Sequence, residues 1–192
     1  MRRIRKLAAI VAGAVLTTLF VVPAAPATAA PWGCQFSTPY LHYKTAITNT
    51  AAYLNPAQWA ARYWQETNTP ITLSPVTTGA NIVIADGYLP SADGYDGMIR
   101  TPAGQMENCT YNHNWTTGMY VWWNRTYTDY YTGEKKLSVM VHELGHALGL
   151  GHESFTSCNY VSIMEPKTAK RYDDCRKYKP TVADVAFINQ IY

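Results

Sequence analysis

His142-Glu143-Leu144-Gly145-His146-Ala147-Leu148-Gly149-Leu150-Gly151-His152 places three histidines and one carboxylate within eleven residues. On a helix, positions four apart lie about 40° from each other around the axis, so His142 and His146 present their imidazoles from one face to a single ion. A third ligand at the next helical repeat would sit too far along the axis to close a tetrahedron. Gly149 solves that problem, because a glycine that ends a helix in the left-handed conformation carries no Cβ penalty and lets the chain swing His152 back beneath the metal. Glu143, next to the first ligand, reaches a water at the open fourth position instead. The spacing therefore points to zinc held by His142, His146 and His152, with Glu143 as general base.

The extended motif H-E-x-x-H-x-x-G-x-x-H, followed twelve residues after His152 by Ser162-Ile163-Met164, resembles the metzincin zinc endopeptidases, and most closely the catalytic domains of matrix metalloproteinases. The resemblance implies an α+β fold: a small twisted mixed sheet, an active-site helix, a methionine turn under the zinc and a C-terminal helix. Asn81 to Ala85 resembles the family's central strand, Asp86 to Thr101 its following loop and substrate-side edge strand, and Thr181 to Tyr192 its closing helix. Astacins place a tyrosine two residues after the turn methionine; here Pro166 stands there, so no tyrosine role is carried over. A proline near that place lines the specificity pocket in matrix metalloproteinases, which makes Glu165 to Arg171 the expected wall. Asp86, Asp93 and Asp96 resemble the family's ion-binding loop without its histidines; their oxygen ligands suit calcium rather than zinc, while Asp-Gly pairs also make plain turns, which is the preferred reading. Asp184 or Glu153 is expected to pair with the mature ammonium group, Asp184 being preferred, unless the two simply cap a helix and face solvent.

The chain has 192 residues. Arg2, Arg3, Arg5 and Lys6 precede an apolar run from Leu7 to Val22, and Ala27-Thr28-Ala29 follows as an A-x-A site. This is the pattern of a secretory signal over residues 1–29, leaving 30–192 as a single metalloprotease domain. Cleavage removes four of the sixteen Lys and Arg, leaving twelve against thirteen acidic residues. No basic footprint for nucleic acid remains. The mature protein is expected to be extracellular and monomeric, without a stable membrane anchor. Four cysteines in an exported chain imply two disulfides in one of three pairings. Cys34–Cys109 with Cys158–Cys175 is favoured, the second closing a loop of about sixteen residues around Met164, which the chain-entropy model values at roughly 3 kcal/mol.

Asn55-Pro56 reads as a helix start with Trp59, Tyr63 and Trp64 facing inward. Ile71 to Leu73, Ile82 to Ala85 and Met119 to Trp123 read as strands, and Gly97 to Thr101 as an edge strand for substrate backbone. The active helix is expected from about Lys136 and the last from Thr181, with Asp184 as its capping partner. His42 and His113 lack ligand spacing. Fifteen tyrosines and six tryptophans could form a polymer-binding surface, although core and sheet faces absorb many aromatics. Asn114 and Asn124 begin N-x-T sequons that matter only in a glycosylating host.

The function expected is a secreted zinc endopeptidase cutting internal peptide bonds. A non-catalytic secreted binding module is the alternative from another class, and a zinc amide hydrolase acting on cell-wall peptides is a third. Glu143 argues against the binding module, since a purely structural zinc needs no base and takes a fourth protein ligand.

Overall fold

Leu41 and Tyr43 are buried between exposed Tyr40 and His42, and this two-residue period builds β1 (Tyr40–Ala46). The computed structural model describes residues 33–89, 94–104 and 113–192. The proposed signal, residues 1–29, lies outside them. β1 pairs in parallel with both β2 (Thr72–Pro75) and β3 (Ile82–Gly87). β5 (Met119–Asn124) continues the parallel set, and β4 (Gly97–Arg100) runs antiparallel along its outer side. The sheet order is β2-β1-β3-β5-β4, which is mixed as expected. β3, central in this order, is buried from Ile82 to Asp86, as a strand covered on both faces must be.

Four strands appear close to their expected places, but β1 was not foreseen. Its aromatic, basic and hydroxyl residues dilute the apolar alternation, and its pairing with two neighbours supplies what the local pattern lacks.

α1 (Thr50–Gln65) begins five residues before the expected start and contains Pro56. The added turn is held by Tyr53, fully buried edge-on to Trp123, whose hydroxyl meets Thr128 Oγ1 at 2.8 Å and donates to Asp129 Oδ1 at 2.7 Å. Tertiary burial thus outweighs the proline, which sits in the second turn and removes one helical donor. Of the aromatics expected to face inward, Trp64 is fully buried whereas Trp59 is 39% exposed.

A short helix, α2 (Arg125–Thr128), leads to α3 (Gly133–Ala147). α3 starts before Lys136 because Thr132 caps it, its side chain accepting from Lys135 N. Every residue from Lys136 to Ala147 is buried, so α3 lies between α1 and the sheet. Three indoles fix it there. Trp123 Nε1 donates to the Lys136 carbonyl, Trp64 Nε1 to Val141 and Trp115 Nε1 to Ala147, at 2.8, 2.9 and 2.8 Å.

Beyond α3 the chain forms a π-helix (Ala169–Asp174) and α4 (Val182–Ile191). The expected cap is present as a reciprocal Thr181–Asp184 box. The disulfide Cys158–Cys175 is formed. Cys34 is also disulfide-bonded, and its expected partner, Cys109, lies outside the described residues. Among the described residues no helix is long and apolar enough to cross a membrane.

Candidate metal centre and catalytic cleft

α3 delivers His142 and His146 to one face, and the turn after it returns His152. Gly149 has φ +105°, the left-handed region that the sequence required of it. Leu150 N donates to Gly145 O at 2.9 Å, and Leu150 O receives His146 Nδ1 at 2.7 Å. His142 Nδ1 meets the Ile163 carbonyl at 2.8 Å. In each case the carbonyl takes the Nδ1 hydrogen and leaves the Nε2 lone pair pointing inward.

Those lone pairs converge. His146 Nε2 lies 3.1 Å from His142 Nε2 and 3.0 Å from His152 Nε2, and one ligand atom from each of the three rings falls within 4.8 Å of the others. Tetrahedral coordination at zinc–nitrogen bond lengths calls for nitrogens about 3.3 Å apart. The donor set therefore fits zinc.

Protonation agrees with that fit. Burial drives His142 well below its ordinary value, with Arg171 and His146 adding to the shift. Burial also pushes His146 down to about 3 and lowers His152, the ring nearest solvent. All three are neutral near pH 7, as ligands must be.

Glu143 is 5% exposed, and burial first, then the Asp96 carboxylate, raise its pKa to about 8 against the opposing charge of Arg171. It faces β4 at close range: a Cβ on Gly97 would lie 2.6 Å from Glu143 Oε1 and 2.7 Å from Val139 Cγ1. A cleft of about 190 Å³ opens beside the rings, lined by Tyr95 to Ile99, the three histidines, Glu143 and Pro166.

Met164 is fully buried beneath this arrangement. Its sulfur occupies the place a side chain at Gly145 would fill, so the glycine inside the H-E-x-x-H stretch is required by the methionine turn. Asp184 holds that turn. It accepts from Ser162 Oγ, from Ile163 N at 3.1 Å and from Thr181 N at 2.6 Å, and is fully buried. Asp184 is thus a cap that also grips the floor of the site; its expected pairing with the mature ammonium involves Ala30, which lies outside the described residues.

Two expectations change. Asp86 does not offer its carboxylate to calcium: it is 1% exposed, receives the Thr48 hydroxyl and the backbone of Thr48 and Asn49, and lies 3.7 Å from Arg125. Asp96 receives the Tyr131 hydroxyl and lines the histidine cleft, and Asp93 lies outside the described residues. Of the expected wall, Pro166 faces the cleft, but Glu165 and Arg171 are buried. Arg171 spans inside the fold, from Ser138 Oγ on α3 to Thr168 Oγ1 and the Glu165 carbonyl.

Sequence reasoning named Gly97, Asp96 and Arg171 for other roles and missed the ones they have beside Glu143. Gly97 and Asp96 gain meaning only when β4 is laid against α3, and nothing local marks Arg171 as the buried cation beside exposed Lys167 and part-exposed Lys170. Asn124 is fully buried, its amide donating to the Leu89 and Tyr95 carbonyls, so its sequon is closed to glycosylation once the chain folds. His113 Nδ1 meets the Gly33 carbonyl at 2.9 Å, an ordinary polar role.

A histidine triad carried by a buried helix and its following turn, floored by a methionine, defines the metzincin class of fold. Within it the chain belongs to the matrixin family, whose model, described as Matrixin, matches residues 64–192. The fold is that of a metalloendopeptidase, and the family implies zinc. The chain is also similar to the solved structure of myroilysin, at 16% identity and a TM-score of 0.40, over 63% of this chain and 53% of that one. It thus spans about half the length of that structure. No curated protein matches the chain.

Proposed function

We propose that the protein is a secreted zinc-dependent endopeptidase that hydrolyses internal peptide bonds in extended polypeptides. The observation that carries this reading is the convergence of three neutral imidazole nitrogens beside a buried carboxylate, in a cleft bordered by an edge strand.

His142, His146 and His152 would hold the ion. Zinc bound there supplies Lewis acidity, which polarises the scissile carbonyl and makes water a nucleophile near neutral pH. Glu143 accepts the proton of the attacking water and returns it to the leaving amine. Its burial in the cleft wall beside the first histidine suits both halves of that cycle. β4 is the sheet edge on the cleft side, and its outer backbone groups would pair with substrate in strand addition. Selectivity then falls to side-chain pockets, with Met98, Ile99 and Pro166 as the nearest walls.

The signal pattern of residues 1–29 supports export. Cleavage of unfolded casein by zinc-loaded 30–192 tests the proposal, run beside Glu143→Ala protein shown to hold the same metal. Cutting by the intact chain alone supports proteolysis with Glu143 as base. Absence of cutting by both, with zinc retained, defeats general proteolysis.

A further inference from the structure

A groove of about 730 Å³ lies apart from the histidine cleft, between the stretch that follows His152 and the stretch that leads into α4. Phe155 and Tyr160 line one wall; Arg176, Lys177, Lys179 and Val182 line the other. Cys158 immediately precedes Asn159 of the first wall and Cys175 immediately precedes Arg176 of the second, so their disulfide joins the two sides. A groove stapled in this way is shaped before anything enters it.

Its charge has one sign. Arg176 lies over the Tyr172 ring at 5.1 Å and Lys179 over Tyr63 at 4.4 Å. Among the described residues the ion pairs involve other cations, and none of these three has a carboxylate partner. Arg176 also holds φ +52° just past the π-helix, the C′ position that glycine fills best. A cation is kept there at the expense of backbone comfort, and its side chain lines the groove.

We propose that this groove is an exosite for an acidic segment of polypeptide, binding its carboxylates remotely from the bond that is cut. As a part of substrate recognition it rests on the endopeptidase reading above. Apolar Phe155 and Val182 line the groove together with the cations, a mixture that suits glutamates and aspartates interspersed with apolar side chains. A polyphosphate or sulfated glycan would leave those apolar surfaces unmatched.

The test is fluorescence anisotropy with a labelled glutamate-rich peptide and its glutamine counterpart, in zinc-loaded Glu143→Ala protein so that the probes survive. Tighter binding of the glutamate peptide, weakened roughly tenfold by joint Arg176→Gln, Lys177→Gln and Lys179→Gln changes, is expected from the loss of three solvent-facing charge contacts. Arg176→Gly alone should weaken binding while raising the melting temperature, because glycine suits that backbone; this separates the groove from a folding defect. Equal binding of both peptides, or unchanged binding by the triple variant, would overturn the exosite. Tighter capture of a heparin oligosaccharide than of the glutamate peptide would overturn its assignment to polypeptide. Cleavage of a short uncharged peptide, which reaches the histidine cleft without entering this groove, is expected to persist in the triple variant, so failure of the exosite and failure of proteolysis give different results.

Discussion

A methyl group at position 145 would run into the Met164 sulfur and approach Trp64 Cζ2 to 3.3 Å. Gly145→Ala is therefore expected to destabilise the fold by about 1–3 kcal/mol, as overpacking of a dense core does. In urea denaturation, a Met164→Ala partner change should relieve part of that loss, so the two effects will not add. Glu143 gives a second prediction at this scale. Its folded pKa of about 8 stands above the ordinary 4.5, so the folded, metal-free chain retains a proton that the unfolded chain releases. Stability of chelated protein should fall as pH rises from about 4.5 to 8. Glu143→Gln should flatten that fall and stabilise chelated protein at pH 7 by about 1–3 kcal/mol while abolishing turnover. Thermal melts of both proteins at pH 5 and pH 8 measure the difference, and parallel melts would contradict the buried, proton-holding carboxylate.

At the level of elements, Asp184 ties the first turn of α4 to the methionine turn. Asp184→Ala removes an acceptor shared by Ser162, Ile163 and Thr181, and is expected to cost about 2–4 kcal/mol because buried donors are left unmatched. Zinc affinity should fall with it, since Ile163 O orients His142; a competitive chelator titration reads that loss. How such ties relate to the sequence is uneven. The triad and its glycine were legible because their chemistry depends on spacing along one helix and one turn, and the Thr181–Asp184 cap because it is equally local. β1 and the first turn of α1 were not, since Tyr43 and Tyr53 find their partners far along the chain. The same holds for Arg171, whose burial depends on the Ser138 hydroxyl far along the chain as well as on the Glu165 carbonyl and the Thr168 hydroxyl. Asp86 was misread for that reason too: its acid-and-glycine neighbourhood suggests an ion, while its actual partners come from Thr48, Asn49 and Arg125.

Across the molecule, charge couples layers that share no backbone bonds. Burial alone would raise the Asp129 pKa, but donors from Arg125, Tyr53 and Tyr88 outweigh it and hold the carboxyl below its ordinary 3.8. The stabilisation is complete above that value and disappears as pH falls through the lower folded pKa. Asp129→Asn should therefore lose about 1 kcal/mol at pH 7, and the difference from wild type should shrink in urea midpoints taken below about pH 4. The three indoles that donate to α3 have a different consequence, an optical one. Trp64, Trp115 and Trp123 reach the helix from separate parts of the fold, ending on its first, middle and last buried turns. Any shift of the histidine-bearing helix must lengthen at least one of these bonds and alter the polarity around an otherwise dry chromophore. The protein thus carries an internal emission gauge of its histidine-bearing helix, readable without a label.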